Sequence, residues 1–214
     1  MMQYLRGPAV SLLVIASMLC GGGASAQTPS TPAPSAPSGS SPTVVRLQTF
    51  QTIVAFLNLA AGTVRIVTVL DPSAEYCDQT IDAVESILSA NPSKRLRAYV
   101  VWSALTKEDT EMRALSLSNR VRDHRLVYFW DPGALVAGSF RNVVGSGVLP
   151  ATGIVLLYDT DAYLALDPPA PSAWMSANSD IKGPALDAKQ LAAETNAMVQ
   201  RVEQKINDGA APKQ

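Results

Sequence analysis

The chain has 214 residues, with 17 basic and 18 acidic side chains, one histidine and two cysteines, giving a formal net charge of −1. A balance this even, with no basic run, lacks the electrostatic footprint of a binder of nucleic acid or of an anionic membrane surface. One histidine and two cysteines are too few soft ligands for a zinc or copper centre, so neither a metal nor a cofactor is expected.

Residues 1–26 read as a secretory signal peptide. Arg6 supplies the positive start, Val10 to Leu19 a short apolar core, and Ala24-Ser25-Ala26 the small-x-small cleavage site ahead of Gln27. The apolar run falls well short of the roughly 20 residues that span a bilayer. Cys20 follows Leu19, where a lipid-modified cysteine normally follows a small residue; lipidation there is the alternative to simple cleavage. The expected location is periplasmic or secreted, with no membrane insertion of the mature chain. Residues 27–43 hold five prolines and five serines and no charge or large apolar side chain. Such a segment cannot offset its ordering entropy by burial and is expected to be a disordered tether.

The folded domain is expected over residues 44–207, with 208–214 a frayed tail. Phe50, Ile53, Val54 and Leu57 recur at helical spacing, closed by Gly62. Val64 to Leu70 is a β-branched run with the character of a buried strand. A helix opens at Cys77, with Cys77, Ile81, Val84 and Leu88 in one stripe, and stops at Asn91-Pro92. Leu96 to Trp102 reads as a second strand, Glu108 to Val121 as a polar helix, and Leu126 to Trp130 as a third strand. Asp131-Pro132 turns into a short helix reaching Phe140. Gly153 to Tyr158 is a fourth strand, followed by a short hairpin strand near Tyr163 to Leu166. Pro168 to Pro171 cannot be regular structure. The last helix starts near Asp187, which pairs with Gln190 as in a capping box, and its stripe is Leu191, Met198, Val202 and Ile206. Strands alternating with helices predict an α/β domain, a mainly parallel sheet covered on both faces.

In an open parallel sheet, chemistry gathers where strand ends lead into helix N-termini. The loop between the Val64 strand and the Cys77 helix is such a place, and a cysteine there feels the positive end of the helix dipole. The run Val64 to Leu70, then Asp71-Pro72-Ser73, then Ala74-Glu75-Tyr76-Cys77, resembles a thioredoxin-like domain. It resembles in particular exported bacterial thioredoxin-like proteins of mostly unassigned role. Tyr128-Phe129-Trp130-Asp131-Pro132 and the late Pro168 to Pro171 with Trp174-Met175 carry the resemblance across nearly all of residues 44–176. The resemblance implies a thioredoxin-like fold and a C-x-x-C at this loop, but Ala74 stands where the attacking cysteine belongs. A two-cysteine exchange cycle cannot then run within one chain. It also implies a cis-proline beside the site, for which Pro150 is the candidate; a plain loop proline is the other reading.

Two readings of the remaining thiol stay open. Cys77 lies on an apolar stripe and has acidic neighbours in Glu75 and Asp78, which favours a buried, inert side chain. The alternative is a single-cysteine redox enzyme acting on peroxide or a partner's disulfide, or a Cys77-linked dimer. On the first reading the protein is a binding or accessory module. It would hold a protein or extended peptide with Glu75, Tyr76 and Pro150. Among the weaker signals, His124 in a polar turn reads as a surface residue, and Trp102, Trp130 and Trp174 read as core. Leu149-Pro150-Ala151-Thr152-Gly153 matches a sortase pentapeptide but lacks the terminal membrane segment that such a signal needs.

Overall fold

The computed structural model describes residues 42–210; the expected signal peptide, Cys20, the tether as far as Ser41 and residues 211–214 lie outside them. In chain order the elements are β1 (Val44–Arg46), α1 (Phe50–Leu59), β2 (Val64–Leu70), α2 (Cys77–Ala90), β3 (Leu96–Ser103) and α3 (Glu111–Ser118). Then come β4 (Leu126–Asp131), α4 (Leu135–Ser139), α5 (Arg141–Val144), β5 (Ile154–Tyr158), β6 (Ala173–Ser176) and α6 (Ala188–Ala210). One six-stranded sheet has the order β1-β4-β3-β2-β5-β6. Pairing is parallel from β1 through β4 and β3 to β2, and antiparallel from β2 to β5 and β6.

Every residue of β2 is buried, as befits a strand with neighbours on both edges and helices on both faces. Its side chains alternate between two cores. Val64, Ile66 and Leu70 pack with Cys77, Ile81, Val84 and Leu88 of α2 and with Leu191, Met198 and Val202 of α6. Val67 and Val69 pack with Phe50, Ile53 and Leu57 of α1 and with Val136 and Ala137 of α4. The stripes read from the sequence are therefore the faces that close the sheet. Trp102 and Trp130 are buried in the first core, Trp102 donating from Nε1 to Ser118 Oγ at 2.9 Å. Trp174 is only half-buried.

Several expectations are corrected. α3 is shorter than Glu108 to Val121 because Asp109 Oδ2 accepts the N–H groups of Leu105 and Thr106, folding that segment into a turn. Thr110 then caps the helix, its Oγ1 accepting from the Arg113 N–H. No strand forms at Tyr163 to Leu166. The Asn58 side chain captures Leu164 instead, accepting its N–H at 2.9 Å and donating to its carbonyl at 2.8 Å. Arg65, fully buried on β2, pins the same loop by donating to the carbonyls of Leu57, Asp159 and Ala162. The antiparallel partner of β5 is β6, beyond the proline run and including Trp174-Met175. β1 was not expected from the sequence; three residues show no periodicity. At α6, Asp187 Oδ1 accepts from the Lys189 and Gln190 N–H groups, but the Gln190 side chain turns to Glu194, so half of the capping box forms. α6 continues to Ala210, where fraying from Asp208 was expected.

Candidate functional site

The loop Asp71–Tyr76 leaves the carboxyl end of β2 and enters α2, and three elements hold it there. From the α3 side, Asp109 Oδ1 accepts the Ser73 N–H at 2.9 Å and Arg113 Nε donates to the Pro72 carbonyl at 2.7 Å. Asp109 is buried, which raises a carboxyl pKa, yet hydrogen bonds from Ser73, Thr106 and Leu105 outweigh burial and hold it below the ordinary value. Within the loop, the Ala74 N–H donates to the Asp71 carbonyl at 3.1 Å and the Cys77 N–H to the Ala74 carbonyl at 3.3 Å. Ala74 is therefore the first residue of a closed turn that ends at Cys77.

Cys77 is 3% exposed and packs within the α2 core. Its thiol donates to the Asp71 carbonyl at 3.0 Å. Burial, with Asp71, Asp78 and Asp109 nearby, pushes its pKa up to about 12; Arg113 pulls weakly the other way. The helix N-terminus alone would favour thiolate, so here desolvation and carboxylates win. Both burial and the neighbouring carboxylates therefore favour the protonated thiol.

On the other side of the loop stands Tyr76. Its hydroxyl donates to Asp71 Oδ1 and lies 3.2 Å from Thr152 Oγ1. Burial and the Asp71 bond push its pKa up, so the phenol keeps its proton. The Tyr76 ring packs against Gly153, just before β5. A Cβ at Gly153 would come within 2.9 Å of Tyr76 Cζ and 2.6 Å of Asn178 Cβ, and its φ is +73°. That position admits glycine on both counts. Asn178 Nδ2 donates to the Thr152 carbonyl at 3.3 Å, and the Ala177 N–H donates to the Gly153 carbonyl at 2.7 Å. Glu75, Tyr76 and Gln79 face Ala177, Asn178 and Ser179 across an open polar groove.

Of the residues singled out from sequence, Ala74, Glu75, Tyr76 and Cys77 meet at this loop. Pro150 does not line the groove; its carbonyl accepts the Thr152 N–H at 3.1 Å. Thr152 and Gly153 face Tyr76 instead. Sequence reading also missed Asp71, Asp109 and Asn178, whose partners lie 5, 36 and 26 positions away. The one available signal was Gly153, a glycine directly before a β-branched strand. His124 is a surface residue, 83% exposed. No cluster of metal-ligating side chains occurs among the described residues. Among them, too, no helix is long and apolar enough to cross a membrane.

A sheet that is parallel from β1 to β2 and antiparallel from β2 to β6, with helices on both faces and the cysteine-bearing helix directly after central β2, is a thioredoxin-like fold. The chain is similar to a thioredoxin-family thiol:disulfide interchange protein from Chlorobium tepidum, at 9% identity over 66% of this chain and 83% of that one, with a TM-score of 0.44. It is similar also to a secreted Mycobacterium tuberculosis disulfide oxidoreductase, at 9% identity over 65% and 84%, with a TM-score of 0.39. A thioredoxin-like superfamily protein matches at 14% identity over 67% and 84%, with a TM-score of 0.44. No protein-family model and no curated protein matches the sequence.

Proposed function

We propose that this is an exported thioredoxin-like binding or accessory protein without dithiol oxidoreductase activity. The observation that carries the reading is the state of Cys77, 3% exposed with its proton committed to the Asp71 carbonyl, while Ala74 occupies the attacking position. Export rests on the signal-like pattern of residues 1–26. The partner is a protein or extended peptide, held at the groove of Glu75, Tyr76 and Gln79 against residues 177–179. The backbone groups of Thr152 and Gly153 are already paired with Pro150, Val69, Ala177 and Asn178. Recognition therefore falls to the side chains of Glu75, Gln79 and Ser179, beside an Asn178 already held by Thr152 and Asp180.

The test compares the parent protein, Ala74→Cys and Cys77→Ser in reduction of insulin disulfides with a supplied dithiol reductant. The parent and Cys77→Ser are expected to be inactive. Ala74→Cys is expected to form a disulfide across the closed 74–77 turn and to gain turnover. Activity in the parent that Cys77→Ser abolishes would overturn this reading and establish a single-thiol enzyme.

A further inference from the structure

β2, β3 and β4 are parallel and β5 runs against them, so the starts of the first three and the end of β5 share one end of the sheet, Arg65 lying opposite Tyr158. That end is remote from Cys77, and three kinds of surface follow one another along it. On the β3–β4 side, Arg97 and His124 line a groove floored by Phe56, Tyr99 and Val127, with Lys94 and Arg95 at the entry to β3. Lys94, Arg95 and Arg97 are close in sequence, and the β3–β4 pairing brings His124 beside them. In the middle, the end of α1 presents Leu59, 85% exposed, at the rim of the same groove. On the β5 side lies the loop stitched to α1 through Asn58–Leu164 and the Gly62 N–H to Thr160 carbonyl bond. It carries exposed Asp161 and Asp167, with Tyr163 and Leu166 exposed at 72% and 63%.

We propose that this end of the molecule is a self-complementary surface on which a second copy of the chain docks about a two-fold axis near Leu59. A copy rotated by half a turn presents the order basic, apolar, acidic in reverse, so each arm carrying Arg97 meets the other's Asp161–Asp167 arm. Arg97, Asp161 and Asp167 form no ion pair with other described residues; the Arg97 guanidinium donates to its neighbour's carbonyl, Leu96 O, at 3.2 Å. A purely acidic or purely basic partner would answer one arm and leave the other unmatched. The contact covers Leu59, Tyr163 and Leu166, each largely exposed in the single chain. The groove at Glu75 and Tyr76 stays free in such a dimer.

Sedimentation velocity on the purified protein in reductant, at low and high salt, tests the proposal. The expected result is a concentration-dependent dimer that weakens as salt rises. Arg97→Glu and Asp161→Lys should each weaken it by about tenfold, since a two-fold axis presents every substitution twice. Combined in one chain, the two reversals should restore the dimer, with circular dichroism unchanged throughout. A monomer at all concentrations would overturn the proposal, and so would a dimer indifferent to both reversals.

Discussion

The burial of Cys77 sets a measurable rate. At pH 8 an ordinary thiol, with a pKa near 8.5, is about one-quarter ionised. A thiol pushed up to about 12 is ionised in roughly one molecule in 10⁴ at that pH. The more basic thiolate is the better nucleophile, with a Brønsted coefficient of about 0.4–0.5, which recovers about one and a half orders of magnitude. Ionisation alone then slows alkylation of the folded protein about 100-fold against the unfolded chain, and 3% exposure slows it further. The assay is iodoacetamide labelling followed by intact mass, in buffer and in denaturing urea. Native and unfolded rates within a factor of about three would refute the geometry around Cys77. The same raised pKa has a thermodynamic face. The neutral thiol is favoured in the fold, so its contribution is complete below about pH 8.5 and is lost as pH rises towards about 12. The stability gap between parent and Cys77→Ser should therefore shrink in alkaline urea melts.

Two further substitutions probe the loop. Gly153→Ala forces a left-handed backbone onto alanine and drives its Cβ into Tyr76 and Asn178. It should cost about 2–4 kcal/mol, read as a fall in Tm of about 5–15 °C; a fall under about 2 °C would show that β5 enters differently. Asp109→Asn removes a carboxylate that the fold holds below its ordinary pKa, so the loss should be about 1–3 kcal/mol near neutral pH. Asp109 stabilises above its unfolded pKa of about 3.9 and stops doing so as pH falls through the lower folded value, so the gap between parent and variant should narrow in urea melts as pH falls below about 3.9. A constant gap across that range would mean the charge is not what matters.

Much of the fold is determined locally, and so the sequence alone determined it. The seven-residue run from Val64, five of them apolar, the stripe from Cys77 and the alternation of helix and strand each express a period set by backbone geometry, and the structure keeps them within a residue or two. The placing of Ala74 and Cys77 at the two ends of one turn leading into α2 was likewise legible, because loop and helix start are contiguous in the chain. What only the tertiary structure decided depends on groups far apart in sequence. The Tyr163 segment has strand-like composition, but Asn58 and the buried Arg65 hold its backbone groups, so β5 pairs with β6 instead. Pro150 sits in the expected stretch, yet Thr152 and Gly153 meet Tyr76, because the glycine's missing Cβ is the space that the ring fills. The acidity of Cys77 shows the division most plainly. Its place at a helix N-terminus, its apolar stripe and its neighbour Asp78 are written in the sequence, but the Asp109 carboxylate that adds to the upward push comes from the loop after β3. Periodicity survives in one dimension; hydrogen-bond capture, desolvation and charge proximity exist only once the chain has closed on itself.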